Sequence, residues 1–420
     1  MNLRKLTYSF GNFPIGLILE SFGTYVIFFY VDVLGLKPQL VSFAFIIHGI
    51  IFAILNPLIG YISDKTHTRF GRRKPYIAVG ILPLAIAFYL IWSPFVPKGY
   101  LSIYFLSIII VFDLFYVMVA LNLAALFPEM FPTLSERAQV SALRQTFGIL
   151  GTLVGVALPP LIYSVYGWSF MGHIFSLIII FGFIIALYGS HESEKTYVTS
   201  ISIVSAIKYT FKNVSFLWYM VGGFFVKFVL TVLPAGIPFF TKYVLKLPST
   251  DTSIILGSIF IAAIPMMFFW SSITKKIGSR NAIIFSIFLL FIIFPWFFIV
   301  HNFLDTLLVS VIFGFALAGV VMLLDVMLAE VIDEDTKNTG MKREGIYTGV
   351  FWLIIRLGYS LQGIVIGTIL QLSGYVPNVL EQPSSAILGI RFLISGVPII
   401  ALLISLISFY FYPIGRKKRA

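Results

Sequence analysis

The sequence predicts an all-α integral membrane protein with twelve transmembrane helices in two six-helix halves. Three observations predict it. The first is composition: AVILMFWYC make up 59% of the 420 residues and DEKR only 11%, with a mean hydropathy of +1.00, where soluble domains hold about 45–50% apolar and about 25% charged residues. The second is that the apolar residues fall in continuous runs, each near the roughly 20 residues a helix needs to cross a bilayer. The third is that Lys and Arg gather on alternate sides of those runs. This balance excludes an ordinary globular enzyme, a disordered chain and a nucleic-acid module. Cysteine is absent, which removes disulfides, thiol catalysis and cysteine metal sites.

In chain order the runs predict helices at about 6–31, 40–63, 75–95, 100–130, 137–165, 168–189, 215–245, 252–274, 281–300, 304–332, 343–372 and 387–413. The first is too long for a signal peptide and lacks a small-residue cleavage site, so it is expected to remain as helix 1. Twenty-one of the 29 Lys and Arg fall on the side shared by both termini and the even-to-odd loops, with clusters at Arg4 and Lys5, Lys65 to Lys74, Lys275 to Arg280 and the Arg416 to Arg419 tail. Lys37, Lys98, Lys242 and Lys246 lie on the other side, with Arg391 near it. Both termini are therefore expected in the cytoplasm, in a multi-pass protein of the cell membrane. The net charge of +12 is explained by this orientation and needs no nucleic-acid or acidic partner. The long polar stretch 191–213 is read as a cytoplasmic linker between an N-terminal six-helix bundle, 1–190, and a C-terminal one, 214–420.

The halves carry a weak internal repeat. Residues 28–37, FFYVDVLGLK, align without gaps on 239–248, FFTKYVLKLP, with five identities in ten. Pro57 in helix 2 matches Pro265 in helix 8, each followed by a short basic loop. Two six-helix halves related by an axis along the membrane normal describe the major-facilitator fold, with its substrate site at the midplane.

The loop GYISDKTHTRFGRRKPY resembles the helix 2 to 3 signature of the glycoside-pentoside-hexuronide:cation symporters, the melibiose permease-like family of the major facilitator superfamily. Helix 1 ending in FFYVDVLGL, the 4 to 5 junction ALFPEMFPTLSERAQVSALRQ and the 10 to 11 junction LAEVIDEDTKNTGMKREGIYTGV agree in order, so the resemblance covers nearly the whole chain. Independently of any family, Arg69, Arg72, Arg73 and Lys74 lie beside Asp64 at one membrane edge, and Glu129, Arg137, Glu330 and Arg343 lie at the same edge of other helices. Acids and bases alternate there, whereas an orientation signal needs only bases, so these residues are expected to form a cytoplasmic gate that closes and opens with alternating access. The alternative is a solvated basic loop.

A charge at the centre of a span costs about 2.5–3.5 kcal/mol on insertion scales, so each is a functional candidate. Six occur: Glu20, Asp113, Arg144, Lys227, Asp325 and Arg356, on helices 1, 4, 5, 7, 10 and 11. All six helices are among those expected to line the cavity. Arg144 matches the family arginine that the resemblance implies binds sugar hydroxyls, a role suited to a planar donor fork; an ion pair with Asp113 or Glu20 is the other reading. Arg356 falls where the melibiose permease has a lysine lining its cavity. Trp352, one turn earlier, shares its helix face, so the two read as a stacking and donor platform, or Trp352 as helix packing.

The departures are informative. The family's helix 2 motif R-x-x-D-x-x-x-D-P is GIIFAILNP here, with Gly49, Phe52 and Asn56 at its three ionisable positions. The helix 4 acid falls on Ala120 and the sugar-binding helix 1 acid on Gly16. Sodium prefers several hard oxygen ligands, and Asn56 alone is a poor substitute. Glu20 follows Gly16 by one turn on the same face, and Lys227 is the repeat mate of Gly16, so a Glu20 and Lys227 pair reads as a relocated coupling device or as a fixed salt bridge. His48 shares a helix face with Phe52 and Asn56 and reads either as a titrating group or as a packed, satisfied histidine.

The expectation is thus a secondary active transporter of a sugar or glycoside, working by alternating access and coupled to protons rather than sodium. Arg144, Trp352, Arg356, Glu20 and Asn56 are the expected substrate contacts, and Glu20, Asp113, Asp325 and Lys227 the coupling candidates. No cofactor or metal is expected; the partners are sugar, proton and bilayer, and the working form is a monomer. The competitors are an uncoupled sugar facilitator, a carrier of a lysolipid or other amphiphile, and a non-transporting membrane sensor. An ATP-driven pump is excluded by the absence of GxxxxGK[ST], and an enzyme is disfavoured because no metal cluster, phosphate loop or nucleophile with its base occurs.

Overall fold

The computed structural model describes residues 3–131, 133–192, 210–340 and 344–415, without the side chains of 134, 135, 138, 344–346, 352, 353 and 356. The chain divides into two compact units, Met1–Thr199 and Ser200–Ala420. Most of the expected 191–213 linker, residues 193–209, and Arg343 of the expected gate lie outside the described residues.

The first unit holds α1 (Leu3–Val33), α2 (Pro38–Lys65), α3 (Lys74–Trp92), α4 (Lys98–Met130), α5 (Leu134–Tyr166) and α6 (Trp168–Gly189). The second holds α7 (Val214–Val244), α8 (Ser249–Ile277), α9 (Ser279–Ile299), α10 (Phe303–Thr339), α11 (Glu344–Leu372) and α12 (Ser384–Phe411). Among the described residues, eleven of these helices are long and apolar enough to cross a membrane. The remaining one, α11, is 29 residues long, and its described apolar stretch is Leu357–Leu372.

Local chemistry sets the ends. Pro38 opens α2, where its missing N–H costs no helix bond. Thr133 accepts from the Glu136 N–H at 3.3 Å and pairs with the Glu136 carboxylate at 3.0 Å, a capping box that starts α5 three residues before the predicted 137. Asn213 and Asn302 cap α7 and α10 in the same way. Helix 10 outruns its predicted end at 332. It continues to Thr339 and stops at Gly340, whose φ of +70° suits a glycine C-cap, so Asp333, Glu334 and Asp335 lie on helix.

The internal repeat is visible in the backbone. The offset that carries 28–37 onto 239–248 pairs two π-helical turns, Phe29–Val33 and Phe240–Val244. Leu34 donates to Phe29 in the first (3.0 Å) and Leu245 to Phe240 in the second (3.1 Å). The same offset carries Tyr8 onto Tyr219, whose hydroxyls donate to the Leu123 and Leu324 carbonyls at 2.7 and 2.9 Å. Packing repeats too: α1 on α5, α2 on α4 and α3 on α4 and α6 in one unit correspond to α7 on α11, α8 on α10 and α9 on α10 and α12 in the other.

Candidate functional site

The closest helix approach in the site region is made by glycines. A Cβ at Gly155 would meet the Leu17 carbonyl oxygen at 2.7 Å, one at Gly16 would meet the Thr152 nitrogen at 3.0 Å and run into the Gly148 carbonyl, and one at Gly151 would run into Phe13. Backbones come this close where a glycine faces the neighbouring helix at each point of contact. The crossing gives the physical reason that Gly16 replaces the helix 1 acid expected by resemblance: the α5 backbone fills the space that an acid would need.

The same crossing positions Arg144. One turn before Gly148 on α5, its Nε donates to Asn12 Oδ1 on α1 at 3.2 Å. Its guanidinium lies 4.7 Å from the Phe127 ring centre on α4 and 5.9 Å from that of Tyr8 on α1. The side chain is half-buried. A guanidinium so held keeps donors free of its single hydrogen bond while its flat faces rest on aromatic rings.

Asp113 is buried on α4, and His48 is buried on α2. His48 Nδ1 and Asp113 Oδ2 stand 2.5 Å apart. Rings enclose the pair: Phe22, Phe45 and Phe52 have centroids 6.0, 5.6 and 6.2 Å from that of His48, and Phe22 stacks on Phe112 at 5.2 Å. Asn56 uses its amide N–H on the Phe52 carbonyl of its own helix at 2.8 Å. Glu20 is half-buried on α1.

The basic loop between α2 and α3 is bound within its own unit. Arg72 donates to Glu129 Oε1 at 2.6 Å and Arg73 to the same oxygen at 3.2 Å. Arg73 also reaches Asp64 at 2.6 Å. The Glu192 carboxylate, at the end of α6, accepts from the backbone N–H groups of Arg72, Arg73 and Lys74 at 2.7, 2.8 and 2.8 Å, which places an anion on the N-terminus of α3. Gly71, with φ of +99°, lets the loop turn against that carboxylate. Arg137 donates to the Phe131 and Pro128 carbonyls at the end of α4 (2.8 and 3.4 Å), and Arg69 lies exposed over the neighbouring Phe70 ring.

In the second unit Lys227 on α7 and Asp325 on α10 are electrostatic neighbours, and Tyr219 also neighbours Asp325. Glu330 accepts from Ser279, at the start of α9, at 2.7 Å. The offset that carries Leu123 onto Leu324 also carries Glu129 onto Glu330, so each unit bonds an acid near the end of its fourth helix to residues at or just before the start of its third. The side chains of Trp352 and Arg356 lie outside the described residues.

Three partners were not legible in sequence. Asn12, inside α1, and Glu192, just past the end of α6, are polar residues with no motif around them. His48 was singled out, but its carboxylate is 65 positions away on another helix. Among the described residues no group of three or more His, Cys, Asp or Glu could hold a metal ion.

A family model described as MFS/sugar transport protein matches residues 7–416. The isoprimeverose transporter of Lactiplantibacillus pentosus is 28% identical, over 98% of this chain and 88% of that protein. The sodium-dependent lysophosphatidylcholine symporter 1 of Gallus gallus is 25% identical, over 99% of this chain and 87% of that protein. The crystal structure of the nucleoside transporter NupG is similar with a TM-score of 0.69 at 14% identity, over 98% of this chain and 100% of that one, a likeness of fold.

Proposed function

We propose a function from the premise that the chain belongs to the MFS/sugar transport protein family: it carries a sugar or glycoside across the cell membrane, driven by protons and independent of sodium. As a member of that family it is a secondary transporter of the symporter type. Alternating access with both termini in the cytoplasm is part of the proposal. The identity to the isoprimeverose transporter over 98% of the chain carries the sugar reading. Arg144 supports it, since a half-buried guanidinium flanked by Phe127 and Tyr8 presents donors beside apolar faces, the two surfaces a sugar ring uses. Trp352 and Arg356 are proposed to add the same chemistry from α11.

The proton reading rests on the helix 2 frame. Phe52 packs its ring on His48, and Asn56 spends its N–H on backbone, so this face offers sodium no carboxylate. Asp113 and Glu20 are the proposed proton carriers on the first unit, and Asp325 beside Lys227 on the second. Asp64, Arg72, Arg73 and Glu129 are proposed as the first unit's share of a cytoplasmic gate.

Uptake of radiolabelled isoprimeverose and a panel of monosaccharides and glycosides into proteoliposomes tests this. Accumulation is expected when the outside is acidified and unchanged by sodium. A rise with sodium alone overturns the proton reading, uptake indifferent to both gradients makes the protein a facilitator, and binding without uptake makes it a sensor. A second reading, an amphiphile carrier, is favoured by the similarity to the Gallus gallus symporter. Uptake of lysophosphatidylcholine, with none of any sugar in the panel, would establish it.

A further inference from the structure

We propose that His48 and Asp113 together form the binding site for the transported proton, which the imidazole accepts while its other nitrogen stays bonded to the carboxylate, in the core of the first unit. The proposal rests on the proton-coupled reading above. The two side chains are 9% and 2% exposed, and their nearest atoms are 2.5 Å apart. An N···O separation that short holds one hydrogen between the atoms.

Charge then decides what the pair does. With that single hydrogen, the pair carries a net charge of minus one: a carboxylate facing a neutral imidazole. A second proton, added at His48 Nε2, makes an imidazolium and a carboxylate, neutral overall. The surroundings are rings: Phe22 from α1, Phe45 and Phe52 from α2, and Phe112 beside Asp113. An apolar enclosure costs a pair that is neutral overall less than one that carries a net charge.

The other titratable groups near the pair are few. On α1, Tyr25 and Tyr30 give their hydroxyls to the Val156 and Ile91 carbonyls, and on α4, Tyr104 gives its own to Leu90. On α3, Tyr89 reaches Ser169 at 3.4 Å, and Lys74 is at the far, loop-side end. Glu20 lies about 200° round α1 from Phe22, at 100° per residue, on the side of Gly16 and α5. Asp32 sits in the π-helical last turn of α1, and Tyr116 is one turn beyond Asp113 on α4. His48 and Asp113 are joined to one another in this core.

The test uses the full-length protein, wild type and the near-isosteric variants His48→Gln and Asp113→Asn. A gradient of one pH unit stores about 1.4 kcal/mol per proton, enough for about tenfold accumulation. Wild type in proteoliposomes is expected to approach that with isoprimeverose, and both variants to equilibrate without accumulating, while counterflow, which moves no net proton, falls far less. A substrate-free arm records infrared difference spectra over a pH step: wild type is expected to gain imidazolium bands and to shift one carboxylate band, the first abolished by His48→Gln and the second by Asp113→Asn. Wild type driven by pH with both variants unchanged removes the pair and leaves proton coupling standing. A wild type indifferent to pH in both arms removes the coupling and the pair together. Loss of accumulation and counterflow alike in both variants assigns the pair a structural role and overturns the proposal.

Discussion

Gly16 on α1 lies directly against the carbonyl of Gly148 on α5, with no room for a Cβ between them. The contact fixes how α1 and α5 cross, and with it the distance from Asn12 to Arg144. It also leaves no space for an acid at this position, since one here would force the two helices apart.

Gly16→Ala is therefore expected to destabilise the protein by about 1–3 kcal/mol through overpacking, and Gly16→Asp to abolish folding or expression. Thermal unfolding in detergent measures the first. An alanine variant with the wild-type melting temperature would show that the helices can separate at no cost.

Arg144→Lys keeps the charge but loses the planar fork that meets Asn12 and rests on Phe127. A hydrogen bond to a charged group contributes about 1.5–3 kcal/mol, so sugar affinity is expected to fall roughly 10- to 100-fold. Asn12→Ala should lower affinity less, because it leaves the guanidinium in place but unoriented. Unchanged affinity in Arg144→Lys and Arg144→Ala alike would remove the residue from the sugar site.

Glu192 holds three successive N–H groups at the start of α3, two of them on Arg72 and Arg73, the arginines that grip Glu129. Glu192→Gln keeps the shape but loses the charge-assisted bonds, at a cost of about 1.5–3 kcal/mol. Slower transport with little change in sugar affinity is expected, because the residue acts through the loop. Equal transport rates in Glu192→Gln, Glu192→Ala and wild type would limit this contact to packing.

Lys227, half-buried on α7, and Asp325, exposed on α10, are electrostatic neighbours of opposite charge. A pair with an exposed partner contributes about 1 kcal/mol or less, so Lys227→Met and the double variant Lys227→Met with Asp325→Asn are both expected to fold with near wild-type stability. A double variant that is stable and still accumulates sugar would make the pair structural. One that is stable but only equilibrates would place it in coupling.

Much of the fold was legible in one dimension. The spans, the repeat from residue 28 to 239 and the six charges inside apolar runs follow from a local rule, that a bilayer tolerates apolar helix and penalises charge. Two of the helix ends that differed, Leu134 and Thr339, were set by capping groups just outside the apolar runs. The site was less legible. Arg144, Asp113 and Asp325 could be singled out by their burial in apolar sequence, but not paired.

The sequence alone determined which side chains must be explained, because the cost of burying a charge belongs to each residue and its own helix. Tertiary structure decided their partners: His48 with Asp113, Arg144 with Asn12, Glu192 with the N-terminus of α3, and Lys227 beside Asp325. Each choice depends on how a uniformly apolar helix is rotated against its neighbour, and a helix apolar on every face carries no periodic signal of that rotation. In the first unit, that rotation is set by the glycine crossing of α1 and α5.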